Sequence, residues 1–486
     1  MSETPGWKRP RPMTCLADAG ELAHTVSRFD REMPASDPGR ALLRKWWEWE
    51  YLADSAERLG LLEPFRHGVG LGVGIEALIY FFARHCGRIV ATDLYSADTS
   101  WREARHADFR EAVLQAACFP IEPGRLTVEN ADMRALPVGA ASQDFVWSTS
   151  SIEHVPTLTG VLDVYAEIIR VLKPGGHALL TTEFCLSEPP YLLPNLNVMD
   201  KTILERIFAA IAPWLEPVGP FDLGMDWSNP ANGAASRRYL KPGMVPALHD
   251  TRFDGLKMGQ VTNPVGISAI CPIGFTLRRT DRPAAALPAL REIGLPDAVR
   301  DFTLALDCYH AGENGQAAAA LLSIAADTAH SLQFRLHAFR FGIDAELRGG
   351  METARAATSI LDFLGGMPAR ARDDGDCSDL FSYVLRNAGR AQEGMLVARA
   401  GALSASTTWD HALRLAARAE CCVPSQDDLL AAVAGDLILA GWPSATVIAQ
   451  TREAGRLESM DGGAIAATVA RVAAYVSARA ARAEGA

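Results

Sequence analysis

The sequence lacks cysteines at metal-binding spacing. Its nine cysteines are scattered apart from Cys421-Cys422, and no CxxC pair occurs. Structural zinc sites and iron–sulfur clusters use closely spaced cysteine ligands, so we expect no metal site. Scattered thiols without a pairing pattern are typical of proteins from a reducing compartment.

Long apolar runs and blocks of basic residues are also missing. No stretch of about 18 apolar residues is available for a transmembrane helix, and the opening MSETPGWKRPRP has no apolar core of a secretory signal. Non-specific binding of nucleic acid depends on many cationic contacts to phosphates, whereas the net charge here is −11. We therefore expect a cytoplasmic protein with no membrane span and no nucleic-acid partner.

What the chain does contain is enough apolar sequence for large cores. Apolar residues make up 49% of its 486 residues, a length typical of two or three domains. We interpret residues 1–40 as a flexible N-terminal lead-in, 41–282 as an α/β domain and 290–486 as a helical domain. Within the α/β domain, the irregular segment 186–260 is interpreted as a lid or an acceptor-binding insertion, because structureless segments of that length are usually functional.

Short apolar runs alternate with helical patterns in the α/β domain. The runs are RIVATDL, LTVENADM, DFVWSTS and HALLTTEF, and the helical patterns are IEALIYFFARHC and TLTGVLDVYAEIIRVLK, followed by a PGG turn. Strands separated by helices of this length predict a doubly wound, mostly parallel, Rossmann-like sheet. The Ala/Leu-rich half is predicted to be all α. A faint repeat there favours helical hairpins, and a plain helical bundle is the alternative.

Four glycines surround the end of the first predicted strand: Gly68, Gly70, Gly72 and Gly74. Glycine permits positive φ and lets a ligand lie against the backbone where a helix begins. A structural strand-to-helix turn would have the same composition. The dinucleotide fingerprint GxGxxG does not fit, because Ile75 stands where the third glycine belongs.

Polar side chains follow the next predicted strands. Asp93 could accept both hydroxyls of a ribose, and Leu94 could cover one face of a purine. Asp132 could accept from an exocyclic amine while the Met133 N–H donates to a ring nitrogen. Ser148 falls at the rim where open α/β sheets bind ligands. A turn or helix-capping role is the alternative for Asp93, and a solvated loop position is the alternative for Asp132.

Four motifs in this order resemble the class I S-adenosylmethionine-dependent methyltransferases of the type-11 group. They are GVGIE at 72–76, ATDLY at 91–95, SSIEH at 150–154 and LKPGG at 172–176. The resemblance covers roughly residues 41–280 and implies S-adenosylmethionine as the cofactor, bound by the glycines, Asp93, Leu94, Asp132, Met133 and Ser148.

The chain departs from this family pattern at one position. Such enzymes usually carry an acid where Gly68 stands, and that carboxylate helps to hold the ammonium group of the methionine portion. Our hypothesis is that Glu76 takes over part of this role. The helix dipole alone also favours a glutamate at the start of a helix.

The resemblance implies methyl transfer to a small-molecule or glycan acceptor, the glycan being suggested by analogy only. His154 is the candidate general base, which is needed if the acceptor is a hydroxyl or a protonated amine. A structural Glu153-His154 pair is the alternative. Two other functions stay open: a protein methyltransferase whose C-terminal helices recruit the partner, and a scaffold that binds the cofactor without catalysis.

Overall fold

A computed structural model presents the chain as two compact units, residues 1–313 and 314–486. The residues that the structure describes are 28–33, 44–95, 108–185, 190–218, 263–265, 268–330, 332–352, 355–356, 359 and 362–363. Most of the predicted lead-in, residues 219–260 of the predicted insertion and the Cys421-Cys422 pair lie outside this set. The domain boundaries given above stay predictions.

The first unit alternates strands and helices, as the sequence predicts. Its helices are α1 (Arg28–Glu32), α2 (Arg44–Arg58), α3 (Ala77–His85), α4 (Phe109–Gln115), α5 (Leu158–Val171), α6 (Lys201–Ile211) and α7 (Asp297–His310). Its strands are β1 (His67–Leu71), β2 (Arg88–Asp93), β3 (Leu126–Asn130), β4 (Gln143–Thr149), β5 (Leu172–Cys185), β6 (Tyr191–Leu193), β7 (Leu196–Val198), β8 (Leu215–Pro217), β9 (Asn263–Val265) and β10 (Ser268–Arg279).

The main sheet has the strand order β3-β2-β1-β4-β5-β10-β8, with β9 paired to β10. Strands β1 to β5 are parallel to one another, whereas β10 is antiparallel to β5, β8 and β9. Strands β6 and β7 form a separate antiparallel hairpin. The predicted Rossmann-like, mostly parallel fold class is therefore confirmed.

The core of the sheet is apolar on both faces. Every residue of β4 is buried, as expected for a central parallel strand covered by helices on both sides. Aromatic rings fill one face, where Phe82 of α3 meets Phe145 and Trp147 of β4 with ring centroids 5.1 and 5.0 Å away. This packing fixes α3, and with it the turn that leads into α3.

The predicted PGG turn lies within β5 as an irregularity. The pairing register between β4 and β5 shifts between Gln143 and Phe145. Gly175 has φ +78°, and a Cβ on Gly176 would lie 2.9 Å from the carbonyl oxygen of Asp144. The glycines therefore let the chain bulge beside β4 and continue as a strand, where the sequence predicts a turn.

Helix α7, which follows the α/β sheet in sequence, is tied to it through Asp307. This carboxylate accepts hydrogen bonds from the hydroxyls of Thr157, at 2.5 Å, and Thr159, at 2.7 Å. Thr157 is the N-cap of α5 and does not cap its own helix. The aspartate thus holds the N-terminus of α5, where negative charge is favourable.

The second unit is described by helices α8 (Asn314–Ala326) and α9 (Leu332–Arg348). Buried apolar side chains line both helices, among them Leu321, Ile324, Phe339 and Ile343. The described part of this unit is helical, and a helical-repeat architecture stays a prediction. No helix among the described residues is long and apolar enough to cross a membrane.

We expect Asp307→Ala to lower the free energy of unfolding of the full chain by about 1–3 kcal/mol, because the buried Thr157 hydroxyl loses a charged partner. Thermal melts followed by circular dichroism measure the change. Asp301→Ala on the same helix removes only an exposed ion pair with Arg300 and should have little effect. Equal melting temperatures for the two variants would contradict this view of α7.

Candidate functional site

The candidate site lies at the carboxyl ends of β1 and β4. The strand order reverses between these two strands, since β2 and β3 follow β1 on one side and β5 follows β4 on the other. In open α/β sheets such a switch point leaves a crevice where ligands bind. Two segments border the crevice here: the glycine loop, residues 72–76 after β1, and the segment 150–154 after β4.

The glycine loop depends on two left-handed residues. Gly72 has φ +63° and Gly74 has φ +48°, which side chains rarely adopt. A Cβ on Gly72 would also lie 2.7 Å from the Cβ of Ser151 and 3.1 Å from the Cε of Met133. Residue 72 must therefore be glycine both for its backbone and for the close approach of the segments after β3 and β4.

Gly68 and Gly70 lie inside β1 and are surrounded by aromatic rings. A Cβ on Gly68 would come within 2.4 Å of the Phe145 ring, and one on Gly70 within 2.3 Å of the Trp147 ring. Both positions therefore require glycine for close packing against β4, which the sequence did not reveal. Contact of these two residues with a cofactor stays a prediction.

Asp93, at the end of β2, is bound to the glycine loop. Its Oδ2 accepts from the Gly74 N–H at 2.7 Å and its Oδ1 accepts from the Leu94 N–H at 2.7 Å. The Tyr95 hydroxyl donates to the Gly74 carbonyl at 2.6 Å. Leu94 is 60% exposed, so an apolar side chain stands in solvent beside the carboxylate.

Asp132 and Met133 follow β3 at the same edge. The Asp132 carboxylate pairs with the Arg134 guanidinium at 2.6 Å, and these hydrogen bonds lower the pKa of Asp132. Met133 reaches towards Gly72, as described above. The structure therefore brings the glycine loop, Asp93 and the segment after β3 to one edge of the sheet.

Ser148 and Ser151 differ in their access to this edge. Ser148 is fully buried, and its hydroxyl donates to the Leu71 carbonyl at 3.0 Å, which ties β4 to β1. The hydroxyl of Ser151 donates to the carbonyl of Gly72 at 2.8 Å. Ser151, which the sequence analysis did not select, is thus the serine that borders the glycine loop, and a cofactor contact by Ser148 stays a prediction.

Glu76 is the N-cap residue of α3 and is held by two tryptophans. Its Oε1 accepts from the Trp147 indole N–H at 2.9 Å, and its Oε2 accepts from the Trp49 indole N–H at 3.1 Å. Burial raises the pKa of Glu76 to about 7, against the opposing effects of Lys45 and these hydrogen bonds. The carboxylate is therefore fixed in position but poorly compensated in charge.

Helix α2 places two charged residues here that sequence reasoning missed. The Lys45 ammonium donates to the Thr149 carbonyl at 2.8 Å and lies 3.6 Å from Glu48 Oε2. Glu48 is fully buried and accepts from the Ser150 hydroxyl at 2.6 Å and the Thr181 hydroxyl at 2.7 Å. The only sequence signal was an aromatic-rich helix, which does not tell which residues meet the sheet edge.

Glu153 and His154 face different surroundings. Glu153 is fully buried, accepts from the Glu183 N–H at 2.9 Å and from the Thr182 hydroxyl at 3.0 Å, and has its pKa raised by burial. His154 is exposed, and its Nδ1 lies 3.2 Å from the Asn195 carbonyl oxygen. Glu153 therefore anchors the segment after β4 to β5, while the imidazole remains accessible at the surface.

Among the described residues, no group of three or more His, Cys, Asp or Glu could hold a metal ion.

Comparison with known proteins agrees with this geometry. Residues 68–180 match a family model described as a methyltransferase domain, of the type-11 group. The predicted resemblance of the N-terminal half to this family is therefore confirmed over these residues. S-adenosylmethionine is the cofactor that this family binds. No curated protein sequence matches the chain.

Several solved structures resemble the N-terminal half. Geranyl diphosphate C-methyltransferase from Streptomyces coelicolor is 17% identical, with a TM-score of 0.34 and coverage of 52% of this chain and 88% of that one. The 1,6-didemethyltoxoflavin-N1-methyltransferase from Burkholderia thailandensis is 15% identical, with a TM-score of 0.30 and coverage of 47% and 76%. At these values the similarities carry no argument about the acceptor.

The raised pKa of Glu76 predicts a pH-dependent effect of Glu76→Gln on stability. The folded-state pKa of about 7 exceeds the ordinary value of 4.5, so the wild type loses stability as pH rises through 7, whereas glutamine does not titrate. The melting temperature of the variant minus that of the wild type should therefore increase from about pH 5 to about pH 8. Glu122→Gln, at an exposed position, is the control, and a pH-independent difference for Glu76→Gln would contradict the assignment.

Proposed function

We propose that this protein transfers a methyl group from S-adenosylmethionine to a small-molecule or glycan acceptor. One observation carries the proposal: the segments after β1, β2, β3 and β4 meet at the switch point of the sheet. The contacts of Gly72 with Ser151 and Met133, and of Gly74 with Asp93, establish that meeting. A methyltransferase needs these groups together, because one cofactor must touch all of them.

The side chains at this edge suit the nucleoside of the cofactor. The backbone N–H groups of Gly74 and Leu94 orient the Asp93 carboxylate, and a carboxylate is an acceptor that suits the hydroxyls of a ribose. The exposed Leu94 can cover the adenine, and burial of such an apolar side chain favours binding. In this proposal Asp132 accepts from the adenine amine while the Met133 N–H donates to the ring.

The amino-acid portion needs an anion, and Gly68 cannot supply one. Glu76 provides a carboxylate next to the glycine loop, oriented by two indoles. An ammonium group bound there would add positive charge beside this carboxylate and favour its charged form. The chain therefore has a candidate replacement for the missing acid within the glycine loop itself.

Alignment of the acceptor is the main task left for the protein. S-adenosylmethionine carries its methyl group on a positively charged sulfur that is a good leaving group. In-line displacement then depends on orientation and on exclusion of water. His154 is exposed in the segment after β4, and in this proposal it takes the proton from a hydroxyl or amine acceptor.

Calorimetry on the full chain tests cofactor binding. We expect S-adenosylmethionine and S-adenosylhomocysteine to bind the wild type, and Asp93→Ala to weaken both by at least about tenfold, because two hydrogen bonds to a charged acceptor are lost. Glu129→Ala, on the neighbouring strand β3, removes an exposed partner of Arg110 and serves as the matched control. Unchanged affinity of Asp93→Ala would overturn the proposed site.

A screen with isotope-labelled methyl groups against small-molecule and glycan fractions would identify the acceptor. With that acceptor, His154→Gln should lower turnover by about 100-fold while the affinity for S-adenosylhomocysteine stays unchanged, since removal of a general base affects the chemical step. Turnover equal to that of the wild type would rule out His154 as the base.

A further inference from the structure

Charged residues from two different elements lie near the carboxyl end of β4. Helix α2 contributes Lys45 and Glu48, and the loop contributes Glu76. Trp49, also on α2, joins them because its indole donates to Glu76 at 3.1 Å. Helix α2 therefore contacts the glycine loop directly, although it lies outside the segment 68–180 that matches the family.

Lys45 contacts the carboxyl end of β4. Its ammonium donates to the carbonyl of Thr149, the last residue of β4, at 2.8 Å. An ammonium has three donors, and the Lys45 side chain keeps 37% of its surface exposed. Lys45 and Trp49 are four residues apart and so share one face of α2, and Trp49 is the residue that binds Glu76.

Glu48 holds this lysine in position. Its carboxylate is fully buried and bound by the hydroxyls of Ser150 and Thr181. It lies 3.6 Å from the Lys45 ammonium, so it compensates the lysine charge without filling all of its donors. Glu48 thus acts as a positioning residue for Lys45.

We propose that Lys45 binds the carboxylate of the cofactor's amino-acid portion, opposite Glu76, which binds the ammonium. The methionine portion is a zwitterion, so a matching site needs one cation and one anion close together. Lys45 contacts the Thr149 carbonyl and Glu76 contacts the Trp147 indole, so the two charges lie at the same end of β4. This inference rests on the proposed function, and it makes α2 a part of the cofactor site.

Two ligands that differ only at the amino-acid portion test the inference. S-adenosylhomocysteine carries the zwitterion, whereas 5′-methylthioadenosine has the same nucleoside and a thioether but no charged groups. By calorimetry on the full chain, Lys45→Met should weaken S-adenosylhomocysteine at least about tenfold, the loss typical of a charged hydrogen bond, and leave methylthioadenosine within about twofold. Arg58→Met, at the exposed C-terminal end of α2, should change neither affinity.

A second variant separates a loss of ligand binding from a loss of protein stability. Lys45→Met leaves Glu48 buried without its cation, which is destabilising, so the double variant Lys45→Met/Glu48→Gln removes both charges. We expect the double variant to bind S-adenosylhomocysteine more weakly than the wild type does and to bind methylthioadenosine with nearly unchanged affinity. Equal weakening of both ligands, or no weakening of either, would overturn the role of Lys45 while leaving the proposed function intact. Failure of the wild type to bind either ligand would instead overturn the proposed function itself, together with this inference.

Discussion

Parallel pairing of β1 with β2 on one side and β4 on the other is the constraint on which the site depends. Parallel strands need crossover connections, and here these leave β1 and β4 in opposite directions along the sheet. An open crevice therefore lies at the carboxyl ends of both strands. Gly72, Asp93 and Ser151 belong to different segments of the sequence and meet only because these strands are in register.

Core packing and the chemistry of the crevice share the same side chain, Trp147. Its ring fills the space that Gly70 leaves open, and its indole N–H fixes the Glu76 carboxylate. A larger residue at position 70 would displace this ring and with it the hydrogen bond to Glu76. The glycines inside β1 thus influence the site through packing.

The sequence predicts the backbone parts of the site better than the side-chain parts. Gly72, Gly74 and Asp93 stand at strand ends, where local patterns determine their position, and the structure brings them together. Sequence patterns do not show which face of α2 meets the sheet, so Lys45 and Glu48 were missed. The packing of Gly68 against Phe145 was missed as well, since it depends on a contact between strands that are far apart in sequence.

Hydrogen–deuterium exchange with and without S-adenosylhomocysteine tests the central claim most directly, because it maps the bound ligand onto the full chain. The account predicts slower exchange in peptides that contain the glycine loop, Asp93-Leu94 and Asp132-Met133. It predicts no such change in helices α8 and α9. Binding accompanied by protection elsewhere, with these three segments unchanged, would contradict the account.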